Sequence, residues 1–240
     1  HYTMGGLWVD YELQTSIKGL FALGECNFSD HGANRLGASA LMQGLSDGYF
    51  VIPYTMQNYL SDQIQVPHID TKAPEFDAAE KAVQAEIDRI YNIKGDESVD
   101  HIHKKLYHIM WDYVGMARNE AGLKKALAML KDIRKEFNEH VRIPGDKEGL
   151  NVELDKAIHL RDFITMGELI AYDALERKES CGGHFREESQ TEEGEAKRDD
   201  ENFMYVACWQ YQGSDAVAPT LLKEPLDYQY IKVQVRNYKK

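Results

Sequence analysis

The chain has 240 residues, 43% of them hydrophobic, and a formal net charge of −12. The acidic balance argues against a nucleic-acid surface and against a polybasic membrane patch, and no apolar run approaches the roughly 20 residues that a membrane span needs. The three cysteines Cys26, Cys181 and Cys208 form no C-x-x-C motif, so a reducing, cytoplasmic compartment fits better than a disulfide framework or an iron–sulfur site. Because the first residue is His1 and the chain opens inside a motif, we expect a fragment of a longer protein.

Residues 1–60 are predicted to form a small α/β unit. Apolar runs at Tyr2–Val9 and Leu20–Leu23 predict two short strands joined by a polar turn. Apolar residues with helical spacing predict a helix that begins near Gly37, and Pro53 should stop or kink it because proline lacks a backbone N–H. The polar segment 61–74 contains two prolines, and we interpret it as a linker and a domain boundary.

Four amphipathic segments predict a helical bundle over residues 75–177. The helices are expected to begin at Pro74, Ser98, Asn119 and Asn151, since these residue types favour helix starts. Short connections between the helices imply antiparallel packing. The first helix is expected to point five apolar residues inward: Phe76, Ala79, Val83, Ile87 and Ile90.

Residues 178–240 are predicted to be loop followed by a small β element. The acidic segment 189–196 should be mobile, and alternating residues predict strands at 203–211 and, more clearly, at 230–238. The predicted fold class is therefore mainly α: an antiparallel helical bundle flanked by a small α/β unit and a short C-terminal β element.

The stretch Gly24–Leu45 has the composition of a nucleotide-binding turn. A predicted strand ends at Glu25, whose carboxylate can bind a ribose hydroxyl, and the following helix start offers unpaired N–H groups to an anion. Glycine-rich turns between strands and helices are common, so this pattern does not decide the function. The residues alone also leave the role of Arg35 undecided, because its guanidinium could pair with a nearby acid or bind a substrate carboxylate.

Four motifs carry a resemblance to a known family. They are His1–Gly6 (HYTMGG), Gly19–Glu25 (GLFALGE), His31–Gly37 (HGANRLG), and Glu179–Glu187 (ESCGGHFRE) with Arg198–Asn202 (RDDEN). In order and spacing they resemble the succinate dehydrogenase/fumarate reductase flavoprotein family. The first three belong to the C-terminal part of that family's FAD-binding domain, so residues 1–60 would be the remnant of one.

The resemblance implies roles for single residues. It implies that His1 and Arg35 bind a dicarboxylate substrate, and that Glu25 and the helix start at Ala40 and Leu41 bind FAD. The family usually has Asn-Ser where this chain has Ser39 and Ala40, so we expect backbone contacts to the flavin rather than a hydroxyl contact.

The C-terminal signature is expected to fold back against the flavin domain. Within it, Cys181 stands where most relatives carry arginine, and His184 is interpreted as a structural anchor of the loop. Arg186 belongs to the same block.

Several parts of such an enzyme have no counterpart here. The sequence lacks a G-x-G-x-x-G fingerprint, and the family's flavin-attachment histidine, its proton-transferring arginine and its capping domain would precede His1. We therefore expect no catalytic residue in this chain, no activity of the fragment, and weak or absent FAD binding. The resemblance implies an iron–sulfur subunit and a membrane-anchored quinone-reactive subunit as partners, succinate or fumarate as substrate, and a peripheral location on the inner face of the cell membrane.

Two other functions stay open, and a metal site is not predicted. L-aspartate oxidase is a rival on the same scaffold, and a stand-alone helical interaction module is a rival of a different class. His101, His108 and Asp112 share a helix face, but histidines on a polar face are far more often solvated than bound to metal.

Overall fold

The computed structural model describes residues 3–28, 31–147, 149–214 and 217–234, and it is mainly helical. The prediction of a mainly α fold is confirmed. A small N-terminal unit precedes a helical bundle, and a C-terminal loop region ends in a two-stranded antiparallel sheet.

The N-terminal unit is built from turns and one bent helix, so the two predicted strands are wrong. Only single bridges form among its described residues, between Leu7 and Asn27 and between Gln14 and Phe21. The Asp10 carboxylate accepts the backbone N–H groups of Glu12 and Gln14 and closes a tight turn, which leaves too little extended chain for a ladder.

The predicted helix does not stop at Pro53, but its α-helical hydrogen bonding is interrupted just before this residue. Helix α1 (Ser39–Ser46) leads through a wide π-turn (Asp47–Val51) into helix α2 (Ile52–Ser61), with Pro53 in the first turn of α2. A first-turn N–H has no partner within its helix, so proline costs little at this position. Residues 62–73 then connect α2 to the bundle through turns.

The bundle core consists of three helices: α4 (Val99–Val114), α5 (Glu120–His140) and α6 (Val152–Glu176). Each begins at the predicted cap, with the side chains of Ser98, Asn119 and Asn151 accepting a first-turn N–H. Strands β1 (Glu97–Ser98) and β2 (Val141–Arg142) pair in parallel. Because β1 precedes α4 and β2 follows α5, this pairing sets the start of α4 beside the end of α5, and the two helices run antiparallel.

The core of the bundle is apolar and well buried. Where the three helices cross, a methyl group added to Gly167 would lie 3.1 Å from Met110 Sδ, which shows how closely α6 approaches its neighbours. The largest fully buried side chains of the bundle are those of Ile90, Val99, Ile102, Leu123, Leu130, Phe137, Val141, Leu160 and Ile164.

Helix α3 (Pro74–Tyr91) begins as predicted but packs differently. Only its C-terminal end contacts the bundle: Ile90 is fully buried, whereas Phe76 is 50% and Val83 62% exposed. At this end Glu86 pairs with Arg89 and with Arg161 of α6. The hydrogen bond from Arg89 lowers the pKa of Glu86 to about 2, although desolvation opposes the shift.

The C-terminal sheet differs in its second strand. A short helix α7 (Asp200–Phe203) precedes β3 (Tyr205–Gln210), which pairs with β4 (Thr220–Pro225). The predicted strand at 203–211 is therefore confirmed. The predicted strand at 230–238 is wrong for its described part, since Tyr230 and Ile231 are exposed and residues 230–234 join no ladder; residues 235–238 lie outside the described residues.

Candidate functional site

The helix start predicted near Gly37 lies two residues later, at Ser39. Ala38 adopts a left-handed conformation, with φ 65°, and provides no side-chain cap to α1. The backbone N–H groups of Ala40 and Leu41 lie in the first helical turn, where no acceptor within the helix is available. The positive end of the helix dipole is therefore open to an anionic or electron-rich group.

Glu25 lies in a 3-10 turn (Gly24–Cys26) and not at the end of a strand. Its side chain is exposed, and one of its carboxylate oxygens accepts the backbone N–H of Thr3 at 2.8 Å. This contact orients the carboxylate while the residue stays accessible to a ligand.

A buried polar cluster, which the sequence analysis missed, joins the turn of Glu25 to α1. The Asp47 carboxylate accepts the backbone N–H of Gly24 at 2.9 Å, and Gln43 Nε2 donates to Asn27 Oδ1 at 3.0 Å. Asn27 also donates to Asp47, and the three side chains are at most 9% exposed. Gln43 and Asp47 stand four residues apart on one face of the helix, and this spacing is the signal that could have revealed the cluster.

Arg35 lies between the Glu25 turn and α1. Its side chain is half-buried, and Nη1 donates to the backbone carbonyl of Leu36 at 3.1 Å. One short segment therefore carries Arg35 and, four residues later, the open helix start. His1, the other predicted substrate-binding residue, lies outside the described residues.

The C-terminal signature folds back onto this segment, as predicted. The backbone N–H of Gly183 donates to the carbonyl of Ala33 at 3.1 Å. Ala33 precedes Arg35 by two residues, so the signature forms part of the surroundings of the predicted substrate site.

His184 anchors the signature to the bundle. Its Nδ1 lies 2.8 Å from Arg118 Nη1, and its Nε2 lies 2.9 Å from the carbonyl oxygen of Arg177. Arginine can only donate, so Nδ1 is the acceptor and the proton of the neutral ring resides on Nε2. Burial lowers the pKa of His184, and the charge of Arg118 adds to this shift. These are the contacts of the loop anchor that the sequence analysis predicted.

Two further sequence predictions concern the Cys181 side chain and metal ligands. Burial raises the pKa of the Cys181 thiol, and the charge of Glu179 adds to this shift, so the environment of Cys181 favours the neutral thiol. Within the described ranges, no three or more His, Cys, Asp or Glu side chains gather as metal ligands would.

The open helix start and the accessible Glu25 carboxylate fit a flavin nucleotide. Helix N–H groups and the dipole can stabilise negative charge on a reduced flavin ring, and a carboxylate can accept hydrogen bonds from ribose hydroxyls. Arg35, on the same segment, has the planar fork that binds a carboxylate through two parallel hydrogen bonds.

Comparison with known proteins finds similarity to flavoproteins. Residues 103–238 match the family described as "Fumarate reductase flavoprotein C-term", and residues 1–41 match "FAD binding domain". Among curated relatives, the fumarate reductase flavoprotein subunit of Haemophilus influenzae is 31% identical over 85% of this chain and 32% of its own length. The succinate dehydrogenase flavoprotein subunit of Bacillus subtilis is 28% identical over 100% of this chain and 39% of its own.

Two further matches are an L-aspartate oxidase and a solved structure of a quinol-fumarate reductase. The L-aspartate oxidase of Yersinia pestis is 29% identical over 77% of this chain and 31% of its own length. The solved structure described as "Quinol-Fumarate Reductase with Menaquinol Molecules" superposes on 97% of this chain and 38% of its own, with a TM-score of 0.81 and 29% identity. The chain thus spans about a third of the length of the curated relatives it matches.

Proposed function

The chain belongs to the succinate dehydrogenase/fumarate reductase flavoprotein family, and we propose that it is the C-terminal part of a flavoprotein subunit that interconverts succinate and fumarate. The observation that carries this proposal is one segment that holds Arg35 beside an uncapped helix start, with the C-terminal signature packed on it. In the full-length subunit, bound FAD would supply the hydride chemistry, and residues of this chain would hold the cofactor and the dicarboxylate.

Within this part of the protein, Glu25 and the N–H groups of Ala40 and Leu41 hold the cofactor. FAD, when bound, supplies the hydride chemistry. Glu25 accepts hydrogen bonds from the nucleotide, and its bond from the Thr3 N–H fixes its direction. The open start of α1 stabilises negative charge on the reduced ring.

Arg35 and His1 hold the two ends of the dicarboxylate. A charge-assisted, bidentate contact from Arg35 fixes one carboxylate while hydride passes. The proton is delivered or accepted by an arginine outside this chain, so the chain by itself is inactive. Without a pyrophosphate-binding loop it also binds FAD weakly or not at all.

Exposed apolar side chains on α1, the π-turn and α2 support the assignment as part of a larger protein. Large apolar side chains exposed in such number over a short segment often pack against another part of the protein or a partner. Those exposed by at least half are Leu41, Met42, Leu45, Tyr49, Phe50 and Tyr54.

The partners of the full-length subunit are an iron–sulfur subunit and a membrane-anchored, quinone-reactive subunit. The likeness to a quinol–fumarate reductase solved with menaquinol supports a quinol-linked reaction. Among the described residues, no helix combines the length and the apolar composition that crossing a bilayer requires. We propose that these partners hold the subunit at the inner face of the cell membrane.

The decisive experiment changes Arg35 in the full-length holoenzyme. Arg35→Ala removes the charge and Arg35→Lys keeps it without the fork, so the pair separates charge from geometry. Arg35→Ala should lower kcat/KM for succinate by about a hundredfold, which corresponds to roughly 3 kcal/mol, and Arg35→Lys should recover only part of this. Both should retain flavin, because Glu25 and the helix start remain.

Arg142, exposed on β2, provides the matched control, and Arg142→Ala should leave turnover unchanged. Near-wild-type turnover by Arg35→Ala would make Arg35 a structural residue. Oxidation of L-aspartate rather than succinate by the wild-type enzyme would instead favour the L-aspartate oxidase function, which the 29% identity to that relative keeps as the second candidate.

A further inference from the structure

The contact between the C-terminal signature and the Arg35 segment depends on a glycine. Gly182 has φ +59°, and a Cβ built on it would lie 2.0 Å from the carbonyl oxygen of Ala33 and 2.7 Å from the Ala33 Cβ. Real Cβ atoms do not approach a backbone oxygen so closely, and positive φ strains any other residue. Only glycine lets the two backbones approach closely enough for the Gly183 N–H to bind the Ala33 carbonyl.

The other side of this contact is fixed to the bundle. Cys181 and His184 exchange two backbone hydrogen bonds, at 2.9 and 3.0 Å, and so close a tight turn, Cys181–His184. The His184 ring joins that turn to Arg118, whose Nε donates to the carbonyls of Val114 and Gly115 at the end of α4. The turn is therefore held by the bundle and not only by its own loop.

The backbone just before Arg35 is open to solvent, although the Arg35 side chain is half-buried. Gly32, Ala33 and Asn34 are exposed, so side-chain packing constrains this backbone weakly. A backbone contact at Ala33, two residues before Arg35, then restricts where the guanidinium can point.

We infer that Gly182 is a positioning residue for Arg35, and that the Cys181–His184 turn fixes the position of the substrate-binding segment relative to the bundle. This inference rests on the proposed function, because it assigns Arg35 to the substrate. A side chain at Gly182 would push the segment away from the bundle by more than the misplacement of about 1 Å that can cost a hundredfold in rate.

The test compares Gly182→Ala with Gly194→Ala in the full-length holoenzyme. Gly194 also has positive φ, +78°, but a Cβ there meets only Gln190 Oε1 at 3.7 Å, so the control also places alanine at positive φ, without the collision. Malonate, a dicarboxylate that cannot be oxidised, is titrated against the flavin absorbance, and flavin content is measured alongside.

Gly182→Ala should raise the malonate Kd and the succinate KM by about tenfold to a hundredfold with flavin retained, and Gly194→Ala should not. Amide hydrogen exchange in residues 32–37 should accelerate in Gly182→Ala alone. If Gly182→Ala fails to fold, His184→Ala loosens the turn from the bundle side and should show the same two changes.

Unchanged dicarboxylate affinity together with unchanged exchange would overturn the inference, as would faster exchange without a change in affinity. A wild-type enzyme that neither binds malonate nor oxidises succinate would refute the proposed function instead. Because exchange reports on the contact whatever the substrate, the two failures are distinguishable.

Discussion

Arg186 should be the single side chain whose loss most weakens the attachment of the C-terminal signature to the bundle. It is 2% exposed, and Nη1 donates to the carbonyl oxygens of Ala174 at 2.9 Å and Leu175 at 3.3 Å. These carbonyls belong to the last turn of α6, where the helix dipole favours a cation. Its Nε also lies 3.1 Å from a carboxylate oxygen of Glu188.

The magnitude follows from what Arg186→Met leaves behind. A hydrogen bond from a charged donor contributes about 1.5–3 kcal/mol, and a buried carbonyl without a partner costs about 1–3 kcal/mol. The ion pair adds less than about 1 kcal/mol, since Glu188 is 46% exposed. Because one Nη1 serves both carbonyls, these terms overlap, and we expect a loss of about 3 kcal/mol in the free energy of unfolding.

Urea unfolding of the 240-residue chain, followed by far-UV circular dichroism, measures this loss. Arg142→Met removes the same guanidinium from an exposed position on β2 and should change the free energy of unfolding by no more than about 0.5 kcal/mol. If Arg186→Met costs no more than Arg142→Met, the signature is not held to α6 in the way described.

Two further predictions concern pH and proteolysis. Because burial lowers the pKa of His184 from its ordinary 6.5, the unfolded chain binds a proton at a higher pH than the folded chain, so this contribution to stability is present above about pH 6.5 and is lost as the pH falls. Between about pH 7 and pH 5, the free energy of unfolding measured in urea should fall less in His184→Gln than in the wild type. An equal fall in both proteins would contradict this. In limited proteolysis the first cuts should fall within 62–73, where turns connect α2 to α3. Cuts within 189–196 should come later, because the hydrogen bond from the Thr191 N–H to the Glu195 carbonyl, at 2.8 Å, restrains this loop. Early cuts inside α5 would show that the bundle is not the stable part of the chain.

The three-helix core could be predicted because its signals are local. Ser98, Asn119 and Asn151 each cap the helix that follows them, and the apolar spacing of α4 and α5 matches their buried faces. Helix α3 shows the limit of the same reasoning. Its periodicity is as good, but whether a face is buried depends on what lies opposite, and only its last turns meet the bundle.

The N-terminal unit was harder to predict because its structure depends on non-local partners. A short apolar run becomes a strand only if another strand pairs with it, and Phe21 finds a single bridge partner, Gln14. The second strand of the C-terminal sheet was misplaced for the same reason. Residues 230–234 alternate, yet β3 pairs with Thr220–Pro225.

Cys181, where the family resemblance leads us to expect arginine, is compatible with the turn that contains it. Both hydrogen bonds that join Cys181 to His184 are made by the backbone, so the turn does not require a particular side chain at this position. The nearby carboxylate of Glu179 is already paired with Arg177 at 2.9 Å and accepts the backbone N–H of Asp199, and no further cation is needed to compensate its buried charge. At Gly182, in contrast, any other residue would collide with Ala33 through its Cβ atom, and a change of side-chain rotamer cannot move that atom away. The turn can therefore bind the Ala33 carbonyl without an arginine at position 181, as long as Gly182 beside it remains.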